Sequence, residues 1–387
     1  MPRLTSFAAS GTIGGSRGSS GSNNNALGAI SQIGTYGNRS FDIHDDNLAL
    51  WKKSSESMEL YHGLIANAPG DVSSVYSTTD TLTTSSSNYD NQGWYQCAIN
   101  NDTVYMSYPF ANSNRGQINM VNYTISGTIQ GNATGTSSNT AVGYIDGANY
   151  GFYKIDSNGS RLWVQDGFTG HRCPMLANMG TISPNGTNIF THTTTSTTRS
   201  TRGLTAFTDP DDTAIQWYCT GYVSGNNANM ALYRVNLNSI QGNRNFTVAG
   251  QGAEVWRHTR ITKITSVAGV ALSTPRYIIL GSGGSSSGMQ VREFTPDSSV
   301  TVSVFANFTG SEWSTDGGIA AYNDIVVNNG VVYRWKDLDT TPTLVEIDNL
   351  LDKIPGIIGT QGLTRINDRI IAIGTNSGRI QIFENTY

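Results

Sequence analysis

Charged residues are scarce in this chain of 387 residues, since Asp, Glu, Lys and Arg make up 13% of it against about 25% in ordinary soluble domains. The formal net charge is −4 and no long basic run occurs. The sequence therefore offers no electrostatic footprint for nucleic acid or for an anionic membrane surface. No stretch approaches the ~18 consecutive apolar residues that a membrane-spanning helix needs. These absences disfavour nucleic-acid binding and membrane insertion.

Cysteine and histidine are also sparse. Cys97, Cys173 and Cys219 are too widely separated for a disulfide framework or a CxxC metal site, so we expect buried free thiols. The five histidines include no HxH or HExxH spacing, and a zinc site is not indicated. The sequence predicts no metal, no cofactor and no catalytic residue.

Glycine, serine, threonine and asparagine take the place of the missing charge, with 43 glycines in the chain. These residues are weak in helix interiors, whereas Thr, Tyr and Val suit strands and Asn and Gly suit turns. Hydrophobic residues still amount to 37% of the chain, which is enough for a core. The composition predicts a globular, β-rich protein.

The segment from Arg369 to Glu384 has the pattern of a β-hairpin, with two alternating apolar runs on either side of an Asn-Ser-Gly turn. Similar hairpins occur eight times, 39 to 56 residues apart and about 46 on average. The residues that mark this period are Leu48, Val104, Tyr150, Ile189, Met230, Tyr277, Val331 and Ile370. A four-stranded propeller blade has a period of about 40–50 residues, because one small sheet buries both faces only between two neighbours.

The sequence thus predicts an all-β fold in which residues 39–387 form a β-propeller of seven or eight four-stranded blades. A large β-sandwich or two smaller β domains is the alternative. Propellers commonly close the ring by completing one blade with strands from both chain ends, and we expect that closure here.

Three motifs resemble those of propeller families. The Ser-Pro-Asn-Gly stretch that ends at Gly186 resembles the Ser-Pro-Asp-Gly motif of many propeller repeats, with Asn185 in place of Asp. The hairpin over residues 152–163 resembles quinoprotein-type repeats, and residues 373–383 resemble both those and WD-type blades. Residues 314–318 fit the start of the Asp-box of sialidases, which is a folding turn rather than a catalytic group.

Two acidic stretches are the densest candidates for a metal site or an acid–base cluster. In the first, Asp42 and His44 are expected on one face of a strand and Asp45 in a turn, at a solvated strand edge. The second, over residues 209–212, lacks the ligand spacing of an EF-hand loop and is expected to be an acidic turn. We also predict surface roles for the arginines that a sialidase would cluster, namely Arg199, Arg202, Arg257, Arg260 and Arg276.

Residues 1–38 have no place in the repeat and are expected to form a flexible Gly/Ser-rich arm. The N-terminus lacks the apolar core of a secretory signal, so we expect synthesis in the cytoplasm. Apolar residues flank the flexible run, and an arm of this kind can become ordered by docking on another subunit. The predicted assembly residues are Arg3, Leu4, Phe7, Leu27, Ile30 and Ile33.

The composition and the first ten residues resemble those of structural proteins in tailed bacteriophages. That resemblance implies a virion protein of the tail, baseplate or fibre, with capsid decoration also possible, made in the host cytoplasm in many copies. It would be anchored to other virion proteins by its arm, and its loops would contact a host-surface glycan or receptor. The alternative is a lectin, or a glycoside hydrolase or sialidase-like enzyme, on the same fold.

Overall fold

The computed structural model describes residues 25–31, 41–52, 57–77, 80–83, 96–100, 103–109, 115–123, 127, 129–130, 143–146, 152–157, 162–166, 171–174, 176–177, 181–182, 188–192, 204–224, 227–236, 239–248, 258–282, 288–309, 313, 318–356 and 360–387. Apart from a 3₁₀ turn at Leu350–Lys353, the named elements in these ranges are strands. None of the helices in them is long and apolar enough to cross a membrane.

The chain is all-β, and its regular unit is a blade, defined here as four antiparallel strands that follow one another directly along the chain, except that the closing blade takes its fourth strand from the N-terminal part. Strand β1 (Ala26–Ser31) comes first and is described with the closing blade below. Blade I consists of β2 (Phe41–His44), β3 (Asn47–Lys52), β4 (Ser57–Tyr61) and β5 (Asp80–Thr83).

Residues 96–192 depart from this regular order. A five-stranded sheet contains β6 (Gln96–Asn100), β7 (Thr103–Pro109), β8 (Arg115–Tyr123), β9 (Ile129–Gln130) and β10 (Gly143–Asp146). The next sheet contains β11 (Phe152–Ser157), β12 (Leu162–Asp166), β13 (His171–Pro174) and β16 (Asn188–His192). Between the last two lies a separate ribbon of β14 (Leu176–Ala177) and β15 (Thr181–Ile182).

The remaining blades follow in the second half of the chain. Blade II contains β17 (Leu204–Asp209), β18 (Asp212–Ser224), β19 (Asn227–Asn236) and β20 (Ser239–Thr247). Blade III contains β21 (His258–Val267), β22 (Val270–Ser282), β23 (Met289–Phe294) and β24 (Val302–Phe308). Blade IV contains β25 (Ile319–Tyr322), β26 (Ile325–Asn328), β27 (Val331–Lys336) and β28 (Thr343–Asn349). The closing blade contains β29 (Thr360–Ile366), β30 (Ile370–Thr375), β31 (Arg379–Glu384) and β1.

Successive blades pack face to face through apolar side chains. Trp217 of blade II packs with Ile279 of blade III in one core cluster, and further clusters join blade III to IV, IV to the closing blade, and the closing blade to blade I. The central strands are therefore buried on both faces, which explains their continuous apolar runs. Every residue of β30 is buried, whereas the outermost strand of blade IV exposes Val345 and Ile347. This stacking is the architecture of a β-propeller.

The propeller prediction is confirmed, but the prediction of seven or eight four-stranded blades is wrong. The described residues form five blades, namely I to IV and the closing blade. The spacing of hairpins overcounted because it cannot show which strands pair. The supposed hairpin around Ile189 is the clearest case, since β16 belongs to the sheet of β11–β13 while β17 begins blade II.

Strand β1 closes the propeller by pairing with the last strand, as expected for this fold. Ile30 lies opposite Ile380, and Gly28 lies opposite Ile382. The backbone N–H of Glu384 donates to the carbonyl of Asn25 at 2.7 Å. The other edge of β1 is held as well, because the N–H of Tyr76 donates to the carbonyl of Ala29 at 2.9 Å. Residues 26–31 of the predicted arm are thus a strand of the closing blade.

Glycine is required at position 28 by this close packing. Its φ is +149°, and a Cβ there would lie 2.5 Å from Cγ of Pro69. A side chain at this position would therefore displace either β1 or the segment beneath it.

We expect Ile30→Ala to lower the free energy of unfolding by about 2–5 kcal/mol, because the side chain is fully buried in the cluster between the closing blade and blade I. Urea unfolding measures this change. The matched control is Val270→Ala at a side chain that is 71% exposed, for which we expect a change below about 0.5 kcal/mol. Equal effects of the two substitutions would contradict the assignment of β1 to the core.

Candidate functional site: the axial cavity

A cavity of about 550 Å³ lies where the first strands of the blades converge. Strands β2, β6, β17, β21 and β25 contribute to its wall, as does the turn that follows β29. The cavity therefore lies on the propeller axis, which is a common place for binding sites in folds built around a central opening. Much of its wall is apolar, with Ile43, Phe207 and Ile261 as the larger side chains.

The cavity opens at the carboxyl ends of these inner strands, since its wall includes His44, Tyr322 and Asn367 from the last positions of three of them or the turn beyond. Four of the turns that surround this mouth carry an Asn-Asp or Asp-Asp pair at, or just before, the start of the second strand of the blade. These pairs are Asp45-Asp46, Asp211-Asp212, Asn323-Asp324 and Asn367-Asp368. Asp45 and Asn323 have φ values of +50° and +48°, a conformation that Asn and Asp tolerate better than most residues.

An ion pair joins the turn of blade II to the inner strand of blade III. The ammonium group of Lys263 donates to Oδ1 of Asp209 at 2.8 Å and to Oδ2 of Asp211 at 2.5 Å. The hydroxyl group of Tyr277 donates to Oδ2 of Asp209 at 2.5 Å. The Lys263 and Asp209 side chains are 4% and 8% exposed, so each charge depends on the other.

The pKa of Asp209 reflects the same contacts. Burial by itself raises the pKa of this carboxyl group, but hydrogen bonds from Lys263, Tyr277 and the backbone of Asp211 outweigh burial, and the pKa lies below its usual value. Burial lowers the pKa of Lys263, yet the two carboxylates and the phenol bring it above its ordinary range. Both groups are therefore charged at neutral pH.

The turn of blade IV reaches blade III in a similar way. Oδ1 of Asn323 accepts a hydrogen bond from the N–H of Thr265 at 2.9 Å. Oδ2 of Asp324 accepts one from the N–H of Ala268 at 2.8 Å, and it lies 3.1 Å from Nε of Arg334. The amide and the carboxylate are thus used to hold two blades together.

The closing blade is joined to blade I by two further contacts. Nε of Arg365 donates to Oδ1 of Asp42 at 2.8 Å, and the N–H of Ile99 donates to the other oxygen of Asp42 at 3.1 Å. The amide of Asn367 donates to the carbonyl of Asp45 at 2.7 Å. Asp42 and His44 both line the cavity, and Asp45 lies in the turn as the sequence predicts.

The predicted assembly residues are divided by the structure. Ile30 is fully buried in the closing blade, and Leu27 is half-buried against the same core cluster. Both residues therefore contact their own propeller. Arg3, Leu4, Phe7 and Ile33 lie outside the described residues, and their assembly role remains a prediction.

Of the five arginines that a sialidase would cluster, the structure describes Arg260 and Arg276, and these two do not form a cluster. Arg276 pairs with Glu293 and Asp339. Arg260 lies on the neighbouring strand opposite Leu280, four residues away from Ile264, which is the residue opposite Arg276. Arg199, Arg202 and Arg257 lie outside the described residues, as do residues 314–317 of the Asp-box motif.

Metal-binding groups are not assembled in the part of the chain that the structure describes, where no three His, Cys, Asp or Glu side chains are placed to hold an ion. Cys97 and Cys219 are buried free thiols, as predicted, and burial raises the pKa of both. The side chain of Cys173 is not among those that the structure describes.

The recurring turn at the cavity mouth is the feature that sequence reasoning missed. Two of its instances were noticed only as separate acidic stretches. The signal that could have revealed them is the Asx-Asp pair repeated at one position of the blade, beginning one to three residues before the second strand.

The comparisons with known proteins find similar folds but assign this chain to no family. No protein-family model and no curated protein matches the chain. Similar solved structures include the WD40 β propeller domain of Doa1, at 11% identity and TM-score 0.46, covering 93% of this chain and 95% of that chain. Saccharomyces cerevisiae Sqt1 matches at 8% identity and TM-score 0.48, covering 93% and 99%. The Dos1 propeller matches at 10% identity and TM-score 0.46, covering 93% and 89%. Nothing about function follows from likenesses of this size.

We expect Lys263→Met to destabilise the fold by about 3 kcal/mol, because removing one partner of a buried pair leaves the other charge uncompensated. Urea unfolding at pH 7 measures the loss. Lys336→Met is the control, since Lys336 is exposed on β27. A loss no greater than in the control would show that the ion pair does not hold blades II and III together.

The stabilisation by this pair should depend on pH. The pKa of Asp209 is lower in the folded than in the unfolded state, so its contribution is present above the unfolded value of about 3.9 and is lost as the pH falls through the folded value. The difference in unfolding free energy between the wild-type protein and Lys263→Met should therefore shrink as the pH is lowered from 7 to about 2.5. A difference that stays constant over this range would contradict the assignment.

Proposed function

We propose that this chain is a structural, non-catalytic component of a bacteriophage virion. Its propeller is a binding module of the tail, baseplate or fibre, and its N-terminal residues attach it to other virion proteins. The observation that carries the non-catalytic part of the proposal is that the charged side chains in the cavity wall are already used in contacts between blades.

Asp42 and Lys263 illustrate this point. Both oxygens of Asp42 accept hydrogen bonds, one from Arg365 and one from the backbone of Ile99. Lys263 is engaged by two carboxylates. General acid–base catalysis requires a group that can gain or lose a proton near neutral pH. The carboxylates around Lys263 raise its pKa further from neutrality, and the oxygens of Asp42 are already occupied by hydrogen-bond donors.

The same contacts weigh against a glycoside hydrolase. Such an enzyme uses a pair of carboxyl groups, one of which is kept protonated by a raised pKa. In the cavity region, Asp209 shifts in the opposite direction because Lys263 and Tyr277 donate to it. Binding without chemical conversion is the role that this wall supports better.

The anchoring role is supported by how the propeller holds β1. Asn25, directly before this strand, donates from its amide to the carbonyl of Glu384 at 2.8 Å and accepts from Lys353 at 2.8 Å. A pull on residues 1–24 would therefore be resisted by a side-chain clasp as well as by the pairing of β1 with β31. A tether between subunits needs such a firm attachment.

The virion setting is supported by the composition. The low charge and the many Ser, Thr, Asn and Gly residues resemble those of tailed-phage structural proteins, as do residues 1–10. A host-surface glycan or receptor is the partner that the proposal assigns to the exposed loops.

Deletion of residues 1–24 should leave the propeller folded and abolish its incorporation into particles, because β1 and its clasp are retained while the attachment segment is lost. Circular dichroism and urea unfolding would check the fold, and mass spectrometry of purified particles would check incorporation. Deletion of residues 1–31 is the matched variant, since it also removes β1 and should lower the midpoint of unfolding. Normal incorporation of the chain lacking residues 1–24 would contradict the anchoring role, and absence of the full-length chain from particles would contradict the virion role.

A further inference from the structure

The mouth of the axial cavity carries more negative than positive charge. The Asp45 and Asp211 side chains are 65% and 74% exposed, and Asp368 is exposed as well. Lys263 supplies one positive charge against both Asp209 and Asp211, and the half-exposed Arg369 pairs with Asp46. After these pairs are formed, the carboxylates of Asp45 and Asp368 at the rim remain exposed to a cation.

An aromatic ring lies at the same mouth. Tyr322 lines the cavity and is 42% exposed. Burial raises its pKa, and the negative charge of Asp368 raises it further. A guanidinium or ammonium group over such a ring is attracted both by the π face and by the carboxylate.

The amide groups at the rim are less available to a ligand. The side-chain oxygen of Asn323 accepts from the backbone of Thr265, and the oxygen of Asn367 accepts from the backbone of Arg369 and Ile370. A neutral sugar relies on such amides for hydrogen bonds, whereas a cation relies on the carboxylates that remain exposed. The rim therefore favours a cationic ligand.

Below the rim, the wall suits an apolar side chain with a polar group next to it. Ile43, Phe207 and Ile261 line this part of the cavity. Thr262 also lines it and is 4% exposed. Its hydroxyl group can donate and accept a hydrogen bond, and it could therefore pair with the backbone of a bound peptide.

The chain itself contains a segment with the complementary chemistry. Among residues 1–24 the only charged side chains are Arg3 and Arg17, and Leu4 and Phe7 are close to Arg3 in the sequence. The 22 positions that separate Arg3 from Asn25 could extend over about 70 Å at ~3.3 Å per residue. This length is sufficient to reach a neighbouring molecule.

We propose that residues Arg3–Phe7 of one copy bind in the axial mouth of a second copy. The guanidinium group of Arg3 lies over Tyr322 between the rim carboxylates, and an apolar side chain of the segment enters the cavity. This inference rests on the proposed anchoring function and names its partner as the same protein. Because donor and acceptor surfaces differ, the contact is head to tail and can build a ring or a filament.

A labelled peptide of residues 1–10 tests the proposal when titrated into the protein that lacks residues 1–24, with fluorescence anisotropy as the readout. We expect saturable binding that weakens about fivefold or more in the peptide with Arg3→Gln, as the loss of a cation–π contact and an ion pair would produce. Tyr322→Ala, and Asp45→Asn combined with Asp368→Asn, should each weaken binding by about threefold or more. Raising the salt concentration should weaken it as well.

Glu346→Gln is the matched control, because Glu346 is exposed on β28, the outermost strand of blade IV, and should leave binding unchanged. A scrambled peptide of the same composition should bind more weakly. Equal binding of the scrambled peptide, unchanged binding by the Tyr322→Ala and double Asp variants, or absence of binding would each overturn the proposal.

The full-length chain provides a second measurement. Its apparent mass in light scattering should rise with concentration, and Arg3→Gln should reduce that rise. A full-length protein that stays monomeric at all concentrations would overturn binding between copies. Incorporation into particles is a separate readout, so a failure here is distinguishable from a failure of the virion proposal.

Discussion

The pairing of β1 with β31 is the interaction on which the rest of the fold depends. Each blade buries its two faces against neighbours, so a row of blades leaves an exposed face at each end unless the row is closed. The closing blade joins these ends because it combines three strands from the C-terminal part of the chain with one from the N-terminal part. Its core clusters touch blade IV on one side and blade I on the other. Without β1, the edge of β31 would be unpaired.

The last blade could be predicted from the sequence because its signal is local. Residues 370–384 alternate and turn within a short span, and the structure pairs β30 with β31 there as expected. The contribution of β1 could not be read in the same way. Its register partners are some 350 residues away, and a strand of six residues in a Gly/Ser-rich surrounding has no neighbouring strand to mark it. The predicted number of blades was wrong for a related reason, because the spacing of hairpins does not show that β16 and β17 belong to different sheets.

The candidate site could be predicted only in fragments. Asp42–Asp46 and Asp209–Asp212 were recognised as acidic stretches, but a sequence does not show that both face one axis. Their partners, Arg365 and Lys263, lie on other blades, and such contacts depend on the order in which blades adjoin. The placement of Asp45 in a turn was correct because turn chemistry is local. The conversion of acidic turns into joints between blades is a property of the assembled ring.

The clasp between Asn25 and Glu384 also has a consequence for the time course of synthesis. These two residues are separated by 359 positions, and a ribosome adds roughly 5–20 residues per second. The nascent β1 must therefore wait roughly 20 to 70 s for its partner strand. Blade I and the segment around Tyr76 can cover Ile30 and Ala29 soon after they are made, but the edge of β1 that pairs with β31 stays open until the chain is nearly complete.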